Sequence, residues 1–176
     1  MKLSKINAIF SLICTLLIMI HSISLALWML SFGSIPQAPS SIPRGLTVFF
    51  VIHAIISIIK MISVNKGKQK NKYNSYVKLN TPTIIQRVSG ILLIIFTWLH
   101  IAGTIGIMQP PQVVHAIVPP LFFTLVLTHV AISTSKAFIT LGIGNAAFIK
   151  KFDIIIKILC AITLIADIVG FYLFVC

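Results

Sequence analysis

The chain has 176 residues, of which 58% are hydrophobic and only 9% charged, with a mean hydropathy of +1.08. That composition excludes an ordinary soluble domain and fits several membrane spans of about 20 residues joined by short loops, so chemistry on water-soluble substrates would need other subunits. The net charge of +12 comes from 14 Lys and Arg against two acids, Asp153 and Asp167; the basic residues border apolar segments, where they point to topology and anionic lipid rather than to nucleic acid.

Lys2 and Lys5 precede an apolar run, about 6–30, which is expected as a retained first span; Ser24 and Ala26 would be the cleavage site if it were a signal peptide, but the run is long for that. Residues 31–45, rich in Ser, Pro and Gly, are expected as a loop, and a second span follows over about 46–64. The basic stretch 65–83 reads as a solvated loop. A third span is expected over about 84–108, ending at Pro110 and Pro111. A fourth, about 113–137, carries Pro119 and Pro120, which should kink it near its start. The polar interval TLGIGNAAFIKKFD separates it from a fifth span over about 154–175. Cys14, Cys160 and Cys176 form no CxxC pair and suggest neither a disulfide framework nor a metal site.

The expected fold is therefore all-α, a single integral membrane domain built as a five-helix bundle. Lys60, Lys66, Lys68, Lys70, Lys72, Lys78 and Arg87 cluster around the loop between spans two and three, which places that loop in the cytoplasm. Lys2, Lys5, Lys150 and Lys151 then fall on the same side, and only Arg44 lies outside. The N-terminus is expected in the cytoplasm and the C-terminus outside.

Each of the first four spans carries one histidine: His21, His53, His100 and His129. At about 1.5 Å per residue, His21 lies roughly 24 Å from Lys5 and His100 roughly 20 Å from Arg87, whereas His53 and His129 are each about 10 Å short of Lys60 and Lys136. The four sort into two layers, His21 with His100 outside and His53 with His129 inside. Facing imidazoles at one depth are what bis-histidine haem ligation needs, so two haems are expected. Around the inner pair, Ser57 and Ser133 follow their histidines by four residues, and Lys60 and Lys136 by seven. These same-face spacings suit the lysines to haem propionates and the serines to hydrogen bonds with them. Thr97, Thr104 and, below them, Ser89 share a face with His100, and Gly90 and Gly103 allow close approach. The alternative for any single buried histidine is a hydrogen bond to a neighbouring carbonyl. His115, beside Pro110, Pro111 and Gln112, is an interfacial residue or a contact to a quinone head group or an outer propionate. Asp167, the one deep acid, is either a quinone or proton group or a neutral acid bonded to a neighbouring helix.

The segment IIQRVSGILLIIFTWLH resembles the QR-(V/I)-(S/T)-G stretch leading to a ligand histidine in the dihaem cytochrome b membrane anchors of bacterial succinate dehydrogenases and fumarate reductases. His53 followed by AIISIIKMIS, and His129 with FITLGIG beginning nine residues later, are similar to that family's second and fourth helices. The resemblance covers all five spans. It implies the same histidine pairs as the depths; Arg87 and Ser89 are further candidate propionate contacts. It also implies two b haems as cofactors and menaquinone or another quinone as substrate. The partners would be an iron-sulfur subunit and a flavoprotein on the cytoplasmic side of a bacterial membrane, with the dicarboxylate chemistry in those subunits. The match before His21 is loose, and the chain has no glutamate, which puts a coupled proton path of the kind some members use in doubt. Two other readings stay open: a dihaem anchor of a different dehydrogenase or hydrogenase, and a haem-free small transporter or structural membrane protein.

Overall fold

A computed structural model of the chain describes residues 3–70, 81–104 and 112–175. It is all-helical, with α1 Leu3–Leu30, α2 Ser41–Lys70, α3 Thr81–Thr104, α4 Gln112–Leu141 and α5 Ala146–Val175. All five are long and apolar enough to cross a bilayer, where a helix is the element that satisfies its own backbone polar groups. Large side chains such as Leu16, Val48, Ile95, Trp98, Ile155, Ile162 and Ile165 stand exposed around the outside, far more apolar surface than a soluble monomer tolerates. The chain is built as a multi-pass membrane protein.

The helices begin earlier than the apolar runs do, for local reasons. α2 starts at Ser41 rather than near 46 because Pro43 falls in its first turn, where a missing N–H costs nothing, and the Thr47 hydroxyl donates to the Pro43 carbonyl at 2.9 Å. α5 starts at Ala146 rather than near 154. Asn145 Oδ1 caps it by accepting the Phe148 N–H at 2.8 Å, and Phe148 and Phe152 pack on Phe138 of α4, so the interface continues below the apolar run. The expected polar interval shrinks to a turn at residues 142–145, with Gly142 and Gly144 at φ +74° and +80°. α4 runs on as one helix through Pro119 and Pro120, and α2 extends to Lys70. Of the stretch 65–83 expected as a loop, 65–70 belong to α2 and 81–83 to α3; residues 71–80 and the segment 105–111, with Pro110 and Pro111, lie outside the described residues.

Side-chain pairs fix the directions. Asn7 with Ser57 and Phe10 with Phe49 make α1 and α2 antiparallel; Ser135 with Asp153 and Phe123 with Phe171 do the same for α4 and α5. Ser22 with Asp167 and Trp28 with Phe174 make α1 and α5 parallel. The core sits where α1, α4 and α5 meet. Met19, Leu127, Val130, Ile156 and Cys160 form one buried cluster and Met29, Phe123 and Phe171 another. Gly170 lets α5 close on α1, since a Cβ there would lie 3.1 Å from Met29 Cβ. At the opposite end Asp153 accepts from the Ser135 hydroxyl and pairs with Lys157.

The other two helices are wings. α2 rests on α1 and α3 rests on α4, and among the described residues α2 and α3 make no substantial contact with each other. The spanning part of α2 has no fully buried residue at all, although its sequence is as apolar as that of α1. Its inward face looks onto an opening instead of onto protein.

Candidate functional site

That opening is a cavity of about 500 Å³ lined by α1, α2, α3 and α4, within the range of small-molecule and cofactor sites. Its walls are apolar in part, with Ile18, Phe50, Ile58, Leu93 and Val126, and both His53 and His129 line it. The two rings come from different helices, α2 and α4. Lys60, Arg87 and Lys136 line it as well, together with Asn7, Thr83 and Gln86. These polar residues lie at the N-terminal ends of α1 and α3 and the C-terminal ends of α2 and α4, which the antiparallel packing brings to one side of the bundle. The charged end and the imidazole level are thus separated along the helices.

Among the described lining residues there is no carboxylate. Both acids of the chain are engaged elsewhere: Asp153 with Ser135 and Lys157, Asp167 with Ser22 at 2.7 Å. Lys136 instead donates to Gln86 Oε1 at 2.8 Å and Thr83 Oγ1 at 3.3 Å, neutral partners that leave its charge uncompensated. A site partly walled by apolar side chains, with three cations at one end, matches an amphiphilic ligand that carries anionic groups.

The two imidazoles are held differently. His129 Nδ1 lies 2.9 Å from Ser89 Oγ, and the Ser89 hydroxyl donates to the Gln86 carbonyl at 3.2 Å. Gly90 makes room for the ring, because a Cβ there would come within 3.2 Å of His129 Cε1. On the other wing the Asn7 carbonyl faces the His53 ring, but His53 Nδ1 is buried and has no hydrogen-bond partner among the described residues. A buried ring nitrogen without a partner is costly, and metal coordination is one way to satisfy it. The two histidines and the orphaned nitrogen at one opening therefore fit a ligand whose metal takes two imidazoles.

The remaining expected site residues are placed as follows. Ser57 lines the cavity and donates to Asn7 Oδ1 at 3.2 Å, while Ser133 donates to the His129 carbonyl at 2.7 Å, so both serines already have partners. Ser89 stands behind His129 rather than in the cavity wall. His21 on α1 and His100 on α3 do not line this cavity. The His100 ring stacks on Phe122 of α4, centroids 5.0 Å apart. Asp167 is completely buried between α1 and α5, one residue from the level of His21 through Ser22, and its Oδ1 has no partner among the described residues. The side chain of His115 lies outside the described residues, as does Cys176. Cys14 and Cys160 are buried free thiols.

Asn7 and Gln86 line the site although no spacing in the sequence singles them out. Ser89, expected as a propionate contact and placed below His100 on the same helix, meets His129 on α4. The available signal was the packing of QRVSG against the facing helix, which spacing within one helix cannot reveal. No protein-family model, curated protein or solved structure matches the chain.

Proposed function

We propose that the chain is a dihaem cytochrome b, the membrane anchor of a succinate:quinone oxidoreductase in a bacterial cytoplasmic membrane. The observation that carries this reading is the cavity between the wings: two histidines from facing helices in one opening, with Lys60, Arg87 and Lys136 and no carboxylate among its described lining residues. His53 and His129 would be the axial ligands of one b haem, and the three cations would meet its propionates. His21 on α1 and His100 on α3 would ligate a second haem farther from the charged end. The separation of Lys60, Arg87 and Lys136 from Asp167 and His100 along the bundle, with the lysine bias of the same end, supports a cytoplasmic N-terminus and an outward C-terminus.

Bound haem would supply one-electron transfer between the cytoplasmic subunits and a membrane quinone. The chain's own part is to hold two imidazoles apart at a fixed depth, to neutralise acidic substituents with cations at the water boundary, and to exclude water from the space between. The flavoprotein and iron-sulfur partners would dock on the lysine-rich side, and His115 and Asp167 remain candidates for the quinone region.

The test is a pyridine haemochrome assay on the purified chain with His53→Ala and His100→Ala made separately. Two b haems per wild-type chain, with each substitution removing mainly one, are expected. A well-folded wild-type chain without haem would overturn the proposal. A haem-free transporter for anionic amphiphiles would then lead, because the cationic cavity would serve such a substrate too. The neighbouring subunits that co-purify separate succinate:quinone oxidoreductase from other dihaem-anchored dehydrogenases.

A further inference from the structure

Three contacts of the segment Gln86–Gly90 point away from the histidine on its own helix and toward α4, and a fourth, within α3, ties Ser89 to the Gln86 carbonyl. Gln86 Oε1 accepts from Lys136, the Gln86 carbonyl accepts from Ser89, Ser89 Oγ meets His129 Nδ1, and Gly90 leaves the recess in which the His129 ring lies. The segment grips α4 at two points, seven residues apart, which are the imidazole and the cation of the cavity. Resting on the haem reading above, we propose that this segment is a bracket, with Ser89 as the positioning residue that fixes His129 in its Nδ1–H tautomer and so presents Nε2 as the nitrogen with the free lone pair.

The proton count leads to this tautomer. Ser89 has one hydroxyl proton. If it went to His129 Nδ1, Ser89 would no longer donate to the Gln86 carbonyl at 3.2 Å. With the proton on the Gln86 carbonyl, Ser89 Oγ offers a lone pair to His129, and Nδ1 must be the donor. The Gln86 carbonyl itself also faces the His129 ring, a second acceptor on the same side. Ser89 is only 3% exposed, so water does not offer a competing arrangement. His53 is held differently: the Asn7 carbonyl faces its ring, its Nδ1 lacks a partner among the described residues, and it stands on the wing whose substantial contacts among the described residues are with α1. The two rings are therefore unequal, one set in tautomer and plane before any ligand arrives and the other left to adjust. A donor hydrogen bond at the far nitrogen of a ligating imidazole makes it a stronger base toward the oxidised metal.

The experiment starts on the full-length chain in nanodiscs without haem, labelled with ¹⁵N-histidine. The His129 signals are identified by their loss in His129→Gln. Protonated and unprotonated ring nitrogens have distinct shifts, and wild-type His129 is expected as Nδ1–H. Ser89→Ala should return it toward the Nε2–H form that free histidine prefers, and Ser89→Thr, which keeps the hydroxyl, should preserve Nδ1–H. In the haem-loaded chain Ser89→Ala should weaken binding at the inner site about 10-fold. It should also raise the inner midpoint potential, by about 59 mV for each tenfold by which ferric binding weakens more than ferrous, with the outer potential unmoved. A wild-type Nε2–H tautomer, or Ser89→Ala with tautomer and potential unchanged, would overturn the bracket. A wild-type chain that takes up no haem would overturn the haem reading instead, and the ¹⁵N spectrum would still decide the role of Ser89.

Discussion

Gly90 offers the sharpest stability prediction. An alanine in a helix interior is ordinarily about 1 kcal/mol better than glycine, because glycine loses more backbone entropy on folding. Gly45, with no atom within 4 Å of its ideal Cβ position, should realise most of that gain. At Gly90 the new methyl would lie 3.2 Å from His129 Cε1, closer than the 3.5–4.0 Å at which carbon pairs are most favourable, and in ordinary contact with Nδ1 at 3.7 Å. The ring must retreat by a few tenths of an ångström, and its 2.9 Å contact with Ser89 opens in the process. Overpacking of this kind costs about 1–3 kcal/mol, so Gly90→Ala should come out neutral to about 2 kcal/mol destabilising. Gly45→Ala should stabilise by up to about 1 kcal/mol. Unfolding by SDS titration from dodecyl maltoside, followed by the fluorescence of Trp28 and Trp98, reads both. If Gly90→Ala stabilised as much as Gly45→Ala, His129 would not lie wedged against α3, and the recess argument would fail.

Two further substitutions bear on charge and on the buried acid. Lys136→Gln removes one cation from the cavity. Charge-assisted contacts contribute about 1.5–3 kcal/mol each, so haem binding at the inner site should weaken about 10- to 100-fold. Its midpoint potential should fall because a positive charge nearby favours the reduced iron; titration of the purified chain with hemin and a redox titration check both. Ser22→Ala takes away the one hydrogen bond seen at Asp167, whose other oxygen already lacks a partner among the described residues. The expected cost is about 1–3 kcal/mol. The double variant with Asp167→Asn should cost less than the sum of the single ones in the same SDS titration, and strict additivity would show that the pair is not coupled.

The five helices were legible because backbone satisfaction in a bilayer leaves a long apolar run little other choice. Their ends were not, since Asn145 and Pro43 start helices by capping and by first-turn tolerance rather than by hydropathy. The cavity residues His53, Lys60, His129 and Lys136 could be found from the sequence because each pair recurs at the same spacing on its own helix. What joins one helix to another follows no such spacing. Ser89 was visible as a polar residue in an apolar span, but that it meets His129 depends on how α3 is set against α4. The same holds for Asp167, whose partner Ser22 lies 145 residues away.

The division into a core and two wings carries a consequence for motion. α1, α4 and α5 bury one another, while α2 is held along one side by α1 and lacks a fully buried residue in its span. Local opening free energy follows buried apolar contact, so α2 should be the least protected span in the haem-free chain. A ligand that engages His53 from within the cavity stabilises only the arrangement in which α2 is docked, by an amount set by its affinity and concentration. At 100-fold excess over the dissociation constant that is about 2.7 kcal/mol, or close to a 100-fold slowing of exchange where opening requires release. Hydrogen exchange by mass spectrometry in nanodiscs should show α2 slowed to that extent by hemin, with α5 unchanged. His53→Ala should abolish the slowing. Equal slowing of α5, or slowing of α2 that survives His53→Ala, would mean that the bundle responds as one unit and that the wings are not held by what lies between them.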